Sequence, residues 1–255
     1  MSSPAPAHGR GDEAGVNVLV LAATRGELAP LEAALEGGAA TTVPGRPVPW
    51  WNRERGRLAG VEVVLGTTGV GKVNAAAATA IALTELRPRH LLLVGIGGAY
   101  PGTGPEPGQV ATAASETHVD SGVGHGAGWE GLDAIGFPLL TTDPPTYNRL
   151  WFDQRFVGRL AGALNIAAVP FATSEAVTAD DDHARWLAQR HGVAIESMEG
   201  GAVAQVALAF GVPMVEIRGV SNVVGERDKS RWQVKAAITN ACDAALRAVE
   251  LLAGG

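Results

Sequence analysis

The chain has 255 residues, is 46% hydrophobic and 18% charged, and carries a formal net charge of −6. That balance excludes a basic field for nucleic acid and a cationic face for an anionic membrane. Cys242 is the sole cysteine, which excludes an intrachain disulfide framework and a multi-cysteine zinc site.

Residues 1–15 are small, polar and rich in Pro and Gly, and read as a disordered tail, with one domain over 16–255. They lack the apolar core of a secretion signal, and no stretch is long enough to span a membrane, so a cytoplasmic protein is expected. From Val16 onward, short apolar runs alternate with longer Ala-rich segments, the pattern of a βαβ protein. Val16–Leu21 reads as a buried strand and Glu27–Leu35 as a helix. Val61–Leu65 is a second strand, followed by a glycine-rich turn over Gly66–Gly71 and a helix over Val73–Leu86 that Pro88 closes. Leu91–Val94 is a third strand ending at Gly95-Ile96-Gly97-Gly98, and Gln109–Ala113 a fourth. Residues 120–148 read as a long surface excursion. Tyr147–Leu164 reads as a helix, Val169–Ala172 as a strand, and Asp181–Arg190 and Ser197–Phe210 as helices. Pro213–Val220 is a late strand and Arg231–Leu252 the closing amphipathic helix. No internal repeat is visible. The predicted fold is a single α/β domain of three layers, a central mixed twisted sheet flanked by helices.

Two glycine motifs imitate nucleotide sites. Gly66-Thr67-Thr68-Gly69-Val70-Gly71-Lys72-Val73 satisfies G-x-x-x-x-G-K, yet Val73 replaces the hydroxyl that a P-loop needs for Mg²⁺. It reads as a tight turn with Lys72 solvated. Gly95-Ile96-Gly97-Gly98-Ala99-Tyr100 puts a tyrosine where the third glycine of a dinucleotide fingerprint belongs. What remains is a glycine-rich strand end that lets backbone approach a sugar or base. Asp180-Asp181-Asp182-His183 precedes a helix and reads as a cap favoured by the helix dipole, rather than as a metal site.

Three strand–helix junctions carry polar chemistry. Ala22-Ala23-Thr24-Arg25-Gly26-Glu27 places a carboxylate at a helix start, Glu196-Ser197-Met198-Glu199-Gly200-Gly201 opens a small-residue helix, and Ile217-Arg218-Gly219-Val220-Ser221-Asn222 ends a strand. Singly, Glu27 is a helix-dipole residue and Glu199 a capping carboxylate. Together, two acids and an amide can converge on one pocket.

With the Gly69–Ala75 turn and the Gly95–Gly98 strand end, these segments resemble the purine nucleoside phosphorylase and nucleosidase superfamily over nearly the whole ordered chain. The resemblance implies that Glu199 receives the ribose 2′- and 3′-hydroxyls, with Met198 packed under the sugar and Gly97 and Ile96 beside it. It also implies that Glu27 activates water. Phosphorylases of the superfamily carry an arginine at that place and another in the strand before the glycine motif, whereas Leu91–Val94 holds no cation. A carboxylate repels phosphate but takes a proton from water, so hydrolysis is the expected reaction. Adenine-specific nucleosidases place an aspartate at Asn222. An amide offers a donor and an acceptor but no acid proton, which suits N7 or O6 of a 6-oxopurine. Val177 stands where adenine nucleosidases stack a phenylalanine, so Val177, Thr178 and Ser221 complete the expected base pocket. Val94–Gly102, Gly136-Phe137-Pro138-Leu139 and Arg218–Trp232 resemble the branch of the superfamily that frees hypoxanthine from a nucleoside with a benzoate tail. Arg227, Lys229, Arg231 and Trp232 could face that tail or form a solvated loop. The resemblance implies no metal or cofactor, a small-molecule nucleoside substrate, and a homo-oligomer. The alternatives are a methylthioadenosine/S-adenosylhomocysteine nucleosidase, a 6-oxopurine nucleoside phosphorylase and a non-catalytic nucleoside-binding protein.

Overall fold

The computed structural model describes residues 16–41, 53–124 and 126–254. The expected tail over residues 1–15 lies outside them. The strands are β1 (Val18–Ala22), β2 (Glu36–Thr41), β3 (Arg53–Leu58), β4 (Val61–Thr67), β5 (His90–Ala99), β6 (Val110–His118), β7 (Gly122–Val123), β8 (Glu130–Gly131), β9 (Arg149–Trp151), β10 (Ala167–Thr173), β11 (Ile195–Ser197) and β12 (Met214–Val223). The helices are α1 (Arg25–Ala34), α2 (Lys72–Leu86), α3 (Gln154–Leu164), α4 (Asp181–His191), α5 (Gly200–Phe210) and α6 (Val234–Ala253).

One mixed sheet runs in the order β11-β10-β6-β12-β5-β1-β4-β3-β2, with β9 added beside β6. Its parallel centre is buried on both faces, which is why β1 and β5 are continuous apolar runs rather than alternating ones. Leu19, Leu21, Leu91 and Leu93 pack with Ala75, Ala82 and Leu83 of α2 and Ala202–Ala204 of α5. Val18, Val20, Leu92 and Val94 face Leu28 and Leu31 of α1, Leu160 and Leu164 of α3, and the alanine face of α6. The three expected layers are therefore present. The sheet also curls. β11 bonds to β10 on one side and, antiparallel, to the end of β5 on the other, with Glu196 opposite Gly98. The strands β5, β12, β6, β10 and β11 thus form a closed ring, which carries the buried Glu116, His118, Thr173, Glu196, Glu216, Arg218 and Ser221.

Several boundaries differ from the sequence reading. Tyr147–Leu164 is not one helix: Arg149–Trp151 pairs with β6, and α3 starts only where Asp153 accepts from the N–H groups of Arg155 and Phe156. Ser197 ends β11 rather than opening α5. The third strand continues through Gly95–Gly98 instead of stopping there. β2 and β3 carry no apolar run to reveal them: β2, at the sheet edge, is rich in glycine and alanine, and β3, between β2 and β4, alternates charge. Asp180 caps α4 as expected, accepting from the His183 N–H at 2.7 Å.

Candidate active site

Glu27 is fixed by the way α1 begins. Thr24 adopts extended backbone and caps the helix, and the Glu27 side chain returns to the cap in a capping box. Glu27 Oε2 accepts from the Thr24 N–H and hydroxyl, both at 2.9 Å. Its other oxygen, Oε1, accepts the Ile96 N–H of β5 at 3.0 Å. The helix-dipole reading of Glu27 is thus realised, by a buried carboxylate that also reaches across to β5. Gly95 is required here for space. A Cβ at that position would lie 2.5 Å from Arg218 Nη1 and 2.6 Å from Glu27 Oε1.

Glu199 stands in the bend between β11 and α5, and its Oε1 accepts the Gly71 N–H at 3.1 Å. The next amide of the turn, Lys72 N–H, donates to Glu175 Oε2 at 2.9 Å. No side chain local to the turn caps α2, so carboxylates from distant sequence do so, in the place where a P-loop would hold phosphate. Lys72 is not solvated as the sequence suggested. Its ammonium lies 2.6 Å from Asp120 Oδ1, while Asp120 Oδ2 accepts the Glu175 N–H at 2.8 Å. Burial pushes the Glu199 carboxyl above the ordinary carboxylate range; Arg218 and the Gly71 N–H pull it back, and the charges of Glu27 and Glu216 raise it further.

The two acids meet at Arg218, which the sequence reading did not single out. This side chain is 1% exposed. It donates through Nε to Glu216 Oε1 at 2.8 Å, through Nη1 to the Ile96 carbonyl at 3.3 Å, and through Nη2 to Glu199 Oε2 at 3.4 Å. Burial alone would lower its pKa, but Glu216, Glu199 and Glu27 together hold it above the ordinary arginine value. A signal was present in the sequence: Glu216 and Arg218 interrupt an apolar strand two residues apart, on one face, where unpaired charge would be prohibitive.

The residues expected around the base fall along the adjoining rim. β12 slips register between Val220 and Asn222, and the bulged Ser221 is buried with its Oγ 3.1 Å from the Gly97 carbonyl and 2.7 Å from Asn222 Oδ1. Asn222 Nδ2 gives one proton to the Val223 carbonyl at 2.9 Å, and it also lies 3.4 Å from where a Cβ on Gly98 would sit. Asn222 borders a cavity of about 610 Å³, shared with Pro101, Arg185, Val223 and Arg231. Val177 is exposed, whereas Thr178 turns inward: its N–H and hydroxyl donate to Glu196 at 3.0 and 2.6 Å, and Tyr100 donates to the same carboxylate at 2.8 Å. Glu196 therefore holds the Val177–Thr178 loop to the end of β5. Met198 is half-buried beside Glu199, and Ile96 is half-buried with both its backbone groups engaged by Glu27 and Arg218. Arg231 pairs with Glu226 at 2.9 Å and Arg227 lies over Trp232, so the charged loop is largely self-paired.

A family model described as "Phosphorylase superfamily" matches residues 17–253. The chain is 38% identical to futalosine hydrolase of Thermus thermophilus, over 71% of this chain and 79% of that protein. It is 35% identical to futalosine hydrolase of Streptomyces coelicolor, covering 69% and 74%. It is 31% identical to a 5′-methylthioadenosine/S-adenosylhomocysteine nucleosidase of Marinomonas sp., covering 70% and 75%. Among solved structures, the Neisseria meningitidis nucleosidase of that type, in complex with methylthio-immucillin-A, superposes with a TM-score of 0.77 at 23% identity, covering 92% of this chain and 99% of the other. At that identity the likeness is one of fold.

Proposed function

The chain belongs to the phosphorylase superfamily, and from that premise we propose that it is a hydrolase, cleaving the N-glycosidic bond of futalosine to release hypoxanthine and dehypoxanthine futalosine. The observation that carries the reading is the convergence of Glu27 and Glu199 on the Arg218–Ile96 unit, which brings together two carboxylates of unrelated chain position.

In this mechanism Glu199 accepts the ribose 2′- and 3′-hydroxyls and stabilises the positive charge of an oxocarbenium-like sugar. The C1′–N9 bond breaks and its electron pair leaves with the base, which takes a proton from solvent as it is released. Glu27 takes a proton from water as the water oxygen bonds to C1′. Asn222 hydrogen-bonds N7 or O6; a hypoxanthine anion spreads its charge onto O6, so the amide need not supply a proton. Gly97, Ile96 and Met198 flank the sugar, and Ser221, Val177 and Thr178 the base. Because Gly71 and Lys72 already donate to Glu199 and Glu175, the turn offers those amides to the protein's own acids. This favours water over phosphate as nucleophile.

A methylthioadenosine/S-adenosylhomocysteine nucleosidase is the second reading, favoured by the shared fold and disfavoured by Asn222. Incubation with futalosine, inosine and methylthioadenosine, each with and without phosphate, separates the readings. Release of hypoxanthine from futalosine without phosphate is expected; phosphate dependence, or binding with no base release, would overturn it. No described helix is long and apolar enough to cross a membrane, and we place the enzyme in the cytoplasm. We further propose a homo-oligomer. Val70, Val73, Phe137, Leu208 and Phe210 are apolar and exposed, which suits a surface covered by a second copy.

A further inference from the structure

Beneath the N-terminus of α5 lie two acids that the reaction above does not use. Glu116 on β6 and Glu216 on β12 are both fully buried. They converge under Gly200: a Cβ there would lie 2.6 Å from each oxygen of Glu216 and even closer to Glu116 Oε1. One oxygen of each is accounted for. Thr173 Oγ1 donates to Glu116 Oε2 at 2.8 Å, and Arg218 Nε donates to Glu216 Oε1 at 2.8 Å. The remaining oxygens, Glu116 Oε1 and Glu216 Oε2, have no other donor among the described residues. Two ionised carboxylates cannot be held this way without water, whereas one shared proton turns the repulsion into a hydrogen bond.

We propose that Glu116 and Glu216 share a single proton and act as a positioning pair for Arg218, fixing the guanidinium that joins Glu199 to the Ile96 peptide, whose N–H donates to Glu27. The inference rests on the roles given above to Glu27 and Glu199. The hydrogen bonds form one chain. Gly201 N–H donates to Thr173 Oγ1 at 2.6 Å, Thr173 to Glu116, the shared proton bridges to Glu216, and Arg218 joins Glu216 to Glu199. Charge requires the proton as well. From β12 comes one guanidinium and the Glu216 carboxylate, from α1 Glu27, from the start of α5 Glu199, and from β6 Glu116. The neighbouring His118 of β6, whose ring faces Gly201, is held neutral, its pKa lowered to about 4 by burial and then by Lys72, with Asp120 opposing. β10 contributes only the uncharged Thr173. Burial, and then the charge of Glu216, push the Glu116 carboxyl well above the carboxylate range. Loss of this proton at alkaline pH places a second full charge behind Arg218, drawing it away from Glu199.

Three measurements on the full chain test this with Glu116→Gln, whose amide can donate where the shared proton sits. Infrared spectra at neutral pH should show the carbonyl stretch of a protonated carboxyl, lost in Glu116→Gln and in Glu216→Gln. A spectrum unaltered by both substitutions overturns the shared proton. Resistance to denaturant provides the second readout. A carboxyl raised in the folded state contributes stability that is complete below its ordinary value and is lost as pH rises through the raised one, so wild type should weaken along that interval. Glu116→Gln should lose that part of the slope; an identical slope counts against the proposal. The third is the pH dependence of kcat/KM. Glu116→Gln should displace the alkaline limb by about one pH unit or more, and Glu116→Ala should lower kcat/KM at least about tenfold, with Gln restoring most of it. A limb that stays in place while the infrared band is lost overturns the positioning role. The first two readouts need no substrate. If futalosine is not cleaved, the function fails separately and the limb is read on whichever nucleoside of the panel releases its base.

Discussion

Glu27 is held by three donors, two from Thr24 and one from Ile96, and this decides what its substitution will do. An amide at position 27 has one acceptor oxygen, so its NH₂ must confront either Thr24 or Ile96. Glu27→Gln should lower kcat by about 10² to 10⁴ through loss of the base, and should lower stability by about 1–3 kcal/mol through the unsatisfied donor. Turnover assays beside denaturant titrations separate the two; turnover within a few-fold of wild type would contradict the assigned role. Glu199 makes a prediction in pH. Its carboxyl is raised by burial, and it must be ionised to receive the ribose hydroxyls. Activity should therefore fall, as pH drops, at a higher pH than an ordinary glutamate would set. An acid limb at the ordinary position would count against Glu199 as the sugar ligand. Asn222→Asp supplies an acid at the base and should shift preference towards 6-aminopurine nucleosides; unchanged base choice in competition assays would remove the amide argument. At this scale both acids were legible from the sequence because each follows a strand end and opens a helix. The Glu216–Arg218 pair is written in VEIRGV, but the bond from Arg218 to Glu199 becomes visible only when β12 meets the bend between β11 and α5.

Among the elements, α5 shows how helix propensity yields to the site. Gly200 and Gly201 at its start each cost the helix roughly 0.5–1 kcal/mol relative to alanine. The sequence reading placed a helix there despite them, without a reason for their presence. The structure supplies one: Glu116 and Glu216 fill the space of a Gly200 side chain, and the His118 ring and Thr173 lie 3.0 and 3.2 Å from a Cβ on Gly201. Gly200→Ala should destabilise the fold by about 1–3 kcal/mol through overpacking. Gly158, inside α3, is exposed with nothing within 4 Å of its would-be Cβ, and Gly158→Ala should stabilise by about 0.5–1 kcal/mol. Chemical denaturation of both variants checks the pair, and equal effects would refute this account of the glycines. Interior strands and amphipathic helices were readable because apolar period and caps agree. β2, β3, β9 and β11 were not, since strands at or next to a sheet edge and a three-residue ring closure are defined by their neighbours and not by their own composition.

For the whole molecule, the layer order follows from the βαβ alternation, but the curl that joins β11 to β5 could not be foreseen, because it depends on glycines letting β5 run on past its apolar half. The proposed assembly is open to a clean test at Val73, which is 78% exposed in the first turn of α2. Aspartate there suits a helix N-terminus, so Val73→Asp should spare the fold while disrupting association. Sedimentation should show a smaller species than wild type, and unchanged mass would place the contact elsewhere. The glycine turn before α2 has a further consequence for life in a phosphate-rich solution. Glu199 and Glu175 are tethered to the same chain as the amides they occupy, and a tethered group commonly acts at an effective concentration of millimolar or above. A free anion such as phosphate must compete with occupants that never diffuse away.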